Sequence, residues 1–149
     1  QLKQRKYLFI ANVIFGLVDF LWGLTAAGII RLAKIYNGLT IAYFVFSTIV
    51  IFEWTLFSFV YMNVRLTRTR RIFLNIPIGF VIALVLLNPA YHFVFKIDPT
   101  GWNYISSNGQ MVVTVIQIIY LLSIIHAAAR KISINNDKYI KGRYASVIA

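Results

Sequence analysis

Four apolar runs, residues 7–30, 39–62, 72–95 and 111–129, restrict this chain to very few folds. At 1.5 Å per residue in a helix, each can cross a hydrocarbon core of about 30 Å. Lipid offers no hydrogen bonds, so a crossing backbone must satisfy itself, and an isolated run does so only as a helix. The composition agrees. The chain is 60% hydrophobic and 13% charged, against about 45–50% and about 25% in soluble domains. A soluble domain of this size has no interior to hold that surplus. An ordinary cytosolic enzyme, a disulfide-stapled secreted module and a disordered tail are therefore excluded. With no cysteine, thiolate catalysis, Cys-based zinc sites and redox switching fall as well. The first run is too long for a signal peptide and lacks a small-residue cleavage site. The expected fold is an all-α, polytopic transmembrane bundle of four spans, forming a single domain over residues 1–149.

The net charge of +11 comes from fifteen Lys and Arg against four acids. Twelve of the basic residues fall on one side of the four spans: Lys3, Arg5 and Lys6; Arg65, Arg68, Arg70 and Arg71; Arg130, Lys131, Lys138, Lys141 and Arg143. Arg31, Lys34 and Lys96 make three on the other. By the positive-inside rule, both termini and the middle loop are cytoplasmic, as in a multi-pass protein of an inner (plasma) membrane. Nucleic acid is not an expected partner, because the basic residues flank spans and do not line one face with aromatics between them. Anionic lipid is an alternative partner for the Arg65–Arg71 cluster, although orientation alone accounts for it.

Between the third and fourth runs, polar and apolar residues alternate on either side of Asp98-Pro99-Thr100-Gly101. Asp at i, Pro at i+1 and Gly at i+3 suit a type I turn. The spacing predicts a short external β-hairpin whose aromatics, Trp102 and Tyr104, rest on the membrane surface. A plain interfacial loop is the alternative.

Polar groups inside the spans are costly and need an explanation. Asn12, Gly16, Asp19, Gly23 and Ala26 share one helical face. Small residues permit close helix approach, so this face and Asp19 are expected to point into the bundle. Glu53 has no polar neighbour one turn away and is expected to be buried, uncharged and facing protein. In the third run, Pro89 removes a helical hydrogen bond, and Asn88 and His92 fall on one face. The fourth run carries a stripe of Gln110, Thr114, Gln117 and Tyr120. The third and fourth spans are expected to be antiparallel neighbours whose polar faces meet in an outward-facing ligand pocket. Its lining would be Asn88, His92, Thr114 and Gln117, with Asp19 as floor and Trp22 as wall. Interhelical hydrogen bonding in a closed, dry bundle is the rival account. No nucleotide, nucleophile-elbow or zinc-helix motif is present. His92 and His126 fall at opposite membrane ends, so no metal site is expected. No cofactor is called for, and no nucleophile–base pair can be nominated.

Several short words resemble the membrane-embedded N-terminal region of bacterial multi-span signalling proteins, chiefly GGDEF diguanylate cyclases and sensor kinases. They are Val18-Asp19-Phe20-Leu21-Trp22, Phe52-Glu53-Trp54, Arg68-Thr69-Arg70-Arg71 before a span with Ile76-Pro77, and Asn88-Pro89 leading into Phe95-Lys96-Ile97-Asp98-Pro99-Thr100-Gly101-Trp102-Asn103-Tyr104. The resemblance implies a sensory input module whose cytoplasmic output domain, and any cyclase or kinase activity, lie in residues outside this chain. The start at Gln1 and the apolar ending at Ala149 fit an excerpt of a longer protein. Expected partners are the bilayer, a small ligand and that output domain, with room for a homodimer. The alternatives are a transporter or channel component using Asp19 and Glu53, and a non-catalytic accessory membrane subunit.

Overall fold

The computed structural model describes residues 2–29, 33–98 and 103–134. Four long helices carry the chain: α1 (Leu2–Ala26), α2 (Ala33–Tyr61), α3 (Arg68–Leu86) and α5 (Asn108–Ile134). All four are long and apolar enough to cross a membrane. A one-turn helix, α4 (Asn88–Tyr91), and a hairpin of β1 (Phe95–Ile97) and β2 (Tyr104–Ser106) connect α3 to α5. The protein is thus an all-α bundle of four candidate spans with a short antiparallel hairpin, Lys96 opposite Ile105. The expected turn, Pro99 to Gly101, and Trp102 lie outside the described residues, as do Arg31, Lys138, Lys141 and Arg143.

The third span is shorter than the sequence suggests. It ends at Leu86, not at residue 95, because Pro89 opens a new helical turn near its N-terminus. A proline there forfeits no intrahelical bond, since those N–H groups have no helical acceptor. His92 then closes α4 in the left-handed region (φ 51°), with its N–H bonded to the Asn88 carbonyl at 2.7 Å.

α1 packs along α2 through a seam with alternating three- and four-residue spacing: Gln4, Leu8, Ala11, Phe15, Val18, Trp22 and Thr25. All seven are buried or half-buried. The stripe of small residues lies one position further round the helix. Gly16, Asp19, Gly23 and Ala26 are exposed in the single chain, and nothing lies within 4 Å of a Cβ built on either glycine. Asp19 therefore does not point into the bundle, contrary to expectation. Bulky side chains at the seam, led by Phe15 and Trp22, fill the space against Tyr43 of α2. Glu53 is half-buried and faces protein: it accepts a hydrogen bond from Gln4 Nε2 on α1.

α2 is the central helix, and its buried threonines cause no deficit. Thr40, Thr48 and Thr55 donate to the carbonyls of Tyr36, Phe44 and Ile51, one turn back. The core gathers at the hairpin end, where Phe44, Val81, Val85, Val94, Phe95 and Val113 form one buried cluster. Phe95 is fully buried and stacks against Phe44 at 5.9 Å and Tyr104 at 5.7 Å. The hairpin thus plugs the bundle through Phe95, on which Tyr104 stacks. Gly109 permits the closure: a Cβ there would come within 2.4 Å of the Phe93 carbonyl oxygen.

Candidate functional site

The hairpin end of the bundle holds a cavity of about 330 Å³ with ring walls and a polar rim. α1 contributes Trp22, and α2 contributes Tyr36, Tyr43, Phe44 and Ser47. Tyr104 comes from β2, and α5 supplies Gln110, Thr114 and Gln117. The Trp22 ring stacks on Tyr43 with centroids 5.1 Å apart, while its Nε1 donates to Thr40 Oγ1 at 3.1 Å. Phe44 meets Tyr43 edge-on at 5.6 Å. The rings of Trp22, Tyr43 and Phe44 are each held by a second contact, so these walls are preformed.

The polar groups are ordered by their own bonds. Gln117 Nε2 reaches across to α2 and donates to Ser47 Oγ at 3.2 Å and Thr48 Oγ1 at 3.1 Å. Both hydroxyls can accept because each sends its proton to the Phe44 carbonyl. The Tyr104 hydroxyl donates to Gln110 Oε1 at 2.7 Å. Burial, together with the neighbouring phenols Tyr36 and Tyr43, pushes Tyr104 up to about 12, so it keeps its proton. Gln117 Oε1 and the Tyr43 hydroxyl have no hydrogen bond to the described residues, leaving one carbonyl acceptor and one hydroxyl beside the rings. Among the described residues no charged side chain lines the cavity. The arrangement suits a small, uncharged, flat molecule with one or two hydrogen-bonding groups.

Three of the six residues expected to line the pocket, Trp22, Thr114 and Gln117, line this cavity together, joined by Gln110 of the same stripe. The others lie elsewhere. Asn88, 1% exposed, is committed to the hairpin: Oδ1 accepts from Val94 N–H at 2.7 Å and Phe95 N–H at 3.1 Å, and Nδ2 donates to the Phe95 carbonyl at 3.0 Å. His92 is an exposed helix cap, and Asp19 is exposed on α1. The partner of the α5 stripe is therefore α2 and not α3. A helix that breaks after Leu86 carries no continuous Asn88–His92 face. Tyr120, the innermost member of the stripe, turns instead to the Leu74 carbonyl of α3.

The sequence reading missed the α2 contribution. Tyr36, Tyr43 and Ser47 follow at spacings of seven and four, one helical face, but hydroxyl-bearing residues are common in apolar spans and Glu53 is the costlier group there. Glu53 lines neither this cavity nor the basic cavity at the other end. Among the described residues no group of three His, Asp or Glu side chains could hold a metal. Comparison with protein-family models, curated proteins and solved structures returns no match.

Proposed function

We propose that the chain is the membrane-embedded input module of a bacterial signalling protein, seated in the inner membrane with both termini in the cytoplasm. The observation that carries this reading is the hairpin-end cavity, in which Gln117 of α5 is hydrogen-bonded to Ser47 and Thr48 of α2. A ligand that competes for that amide favours a different α2–α5 packing, and differential affinity is all that a population shift requires. α5 then carries the bias to the basic, cytoplasmic end and on to an output domain in the parent protein. The twelve-to-three division of basic residues supports the orientation. The resemblance of the Phe95–Tyr104 segment to the outer loop of such modules supports the class. The chain binds its ligand and does not transform it.

The carboxylates do not favour transport. Gln4, the partner of Glu53, lies fifteen residues from Asp19 on α1, an axial separation of about 22 Å. The two acids therefore do not form one relay.

Trp22 fluorescence tests the site directly. With Trp54→Phe and Trp102→Phe removing the other indoles, phenol titrated into the membrane-reconstituted chain should give a saturable Trp22 change. Gln117→Leu should weaken it several-fold. An unsaturable response, or equal affinity in Gln117→Leu, would overturn the ligand site. A coding sequence that continues past Ala149 into a soluble signalling domain supports the input role, and a stop codon there counts against it.

A further inference from the structure

At the opposite end of the bundle lies a larger cavity, about 540 Å³, of a different character. Arg65 and Arg70 line it from the α2–α3 connection, and Arg130 and Lys131 from the end of α5. Phe59 and Phe73 form its apolar wall, and among the described residues no acidic side chain lines it.

Local structure brings these cations together. α2 ends in a left-handed turn at Asn63 (φ 53°), where Asn63 N–H bonds to the Val60 carbonyl at 3.1 Å and Val64 N–H to Phe59 at 2.8 Å. This reversal, with its 6→1 and 5→2 bonds, is a Schellman ending. It carries Arg65 back over the bundle. Thr67 then caps α3 by accepting from Arg70 N–H at 3.3 Å, and Arg70 Nη1 donates to the Arg65 carbonyl at 3.0 Å. The loop and one guanidinium are thus fixed before any ligand arrives. Arg130 and Lys131 lie some sixty residues further along the chain.

Setting orientation requires only that basic residues lie near the ends of spans. It does not require cations from two distant segments to line one concavity with a phenylalanine wall. Within roughly a Debye length of about 10 Å, four like charges repel unless an anion sits among them. Guanidinium pairs suit phosphate oxygens, and basic pockets between membrane helices suit lipid headgroups.

We propose that this cavity binds the phosphate headgroup of an anionic membrane phospholipid, with Arg65, Arg70, Arg130 and Lys131 around the phosphate and the first acyl carbons against Phe59 and Phe73. The site is independent of the hairpin-end cavity and of any ligand there.

The test uses the full chain reconstituted in phosphatidylcholine, alone or with an equal part of phosphatidylglycerol, and reads phosphatidylglycerol retained after detergent extraction by native mass spectrometry. The wild type should retain it. Arg70→Gln/Arg130→Gln should reduce retention about tenfold, as should Lys131→Gln/Arg130→Gln, which leaves the α2–α3 loop untouched. Arg68→Gln/Arg71→Gln removes the same charge from beside the cavity and should leave retention unchanged. Equal loss in the two classes of variant would mean diffuse attraction and overturn the site. Displacement of the lipid by equimolar glycerol phosphate would overturn the lipid as occupant in favour of a soluble phosphate ester.

Discussion

The Tyr120 hydroxyl donates to the Leu74 carbonyl at 2.5 Å, across the α3–α5 contact and three residues ahead of Pro77. Its oxygen also lies within reach of the Ile78 N–H, the group that bonds to Leu74 in a regular helix. Pro77 has no N–H, so the carbonyl of Phe73, one residue before Leu74, lacks its regular helical donor. Tyr120, 3% exposed and braced edge-on by Phe52 at 5.9 Å, ties α5 to α3 beside this proline.

Tyr120→Phe should therefore lower stability by about 0.6–1 kcal/mol while leaving the ring packing intact. In a Pro77→Ala background the same substitution should cost as much, because the restored N–H bonds to the Phe73 carbonyl and not to Leu74. Unfolding in mixed micelles completes the double-mutant cycle. Strong coupling would show instead that Tyr120 compensates for the proline.

Asn88→Ala should be among the most damaging single changes. It orphans two backbone N–H groups and one carbonyl in a fully buried setting, at about 1–3 kcal/mol each where water cannot replace the bond. Asn88→Asp retains the acceptor but buries a charge without the Nδ2 donor, and should not rescue. His92→Ala, at an exposed cap, should be far milder. Comparison of the three unfolding midpoints separates a hairpin anchor from a replaceable surface pair.

Gly109→Ala places a methyl group against the Phe93 carbonyl and should separate hairpin from helix, losing more than about 1 kcal/mol. Gly16→Ala and Gly23→Ala meet nothing within 4 Å and should leave the monomer as stable as before. Hydrogen exchange at Val94 and Phe95 should accelerate in Gly109→Ala alone.

Tyr104 links the cavity to pH. Its folded value, about 12, lies above the ordinary 10.0 because the folded state disfavours the phenolate. The stabilisation tied to its proton is complete below pH 10 and is lost as pH rises through 12. Stability should fall across that window, and Tyr104→Phe should flatten this part of the fall. An identical profile in the variant would contradict the burial of this hydroxyl.

Reporter fusions placed after Arg71 and after Gly101 should give opposite signals, with the second external. Matching signals at the two points would reverse or remove the proposed orientation, and with it the assignment of the hairpin-end cavity to the outer face.

The amino-acid sequence alone carries the four long helices, the hairpin and the approximate extent of every span but the third, which ends at Leu86. These follow from local rules: bilayer thickness sets the length of an apolar run, and alternation around Asp98-Pro99 sets a reversal. It also marked Trp22, Thr114 and Gln117, because amides and indoles within an apolar run need partners. What only the tertiary structure decided is which face of each helix turns inward. In water an apolar stripe identifies the buried side of a helix; in lipid the outer face is as apolar as the inner one, and that signal vanishes. On α1 the small stripe through Gly16 and Asp19 competes with the bulky seam through Phe15 and Trp22, about 100° away. Side-chain volume against Tyr43 settled the choice. Asn88 was legible as a buried polar group, but its partners were not. They are the backbone N–H groups of Val94 and the carbonyl and N–H of Phe95, and backbone groups have no sequence signature. A residue's need for a hydrogen bond can be read from its chemistry, whereas the identity of the group that meets it depends on the packing of the whole bundle.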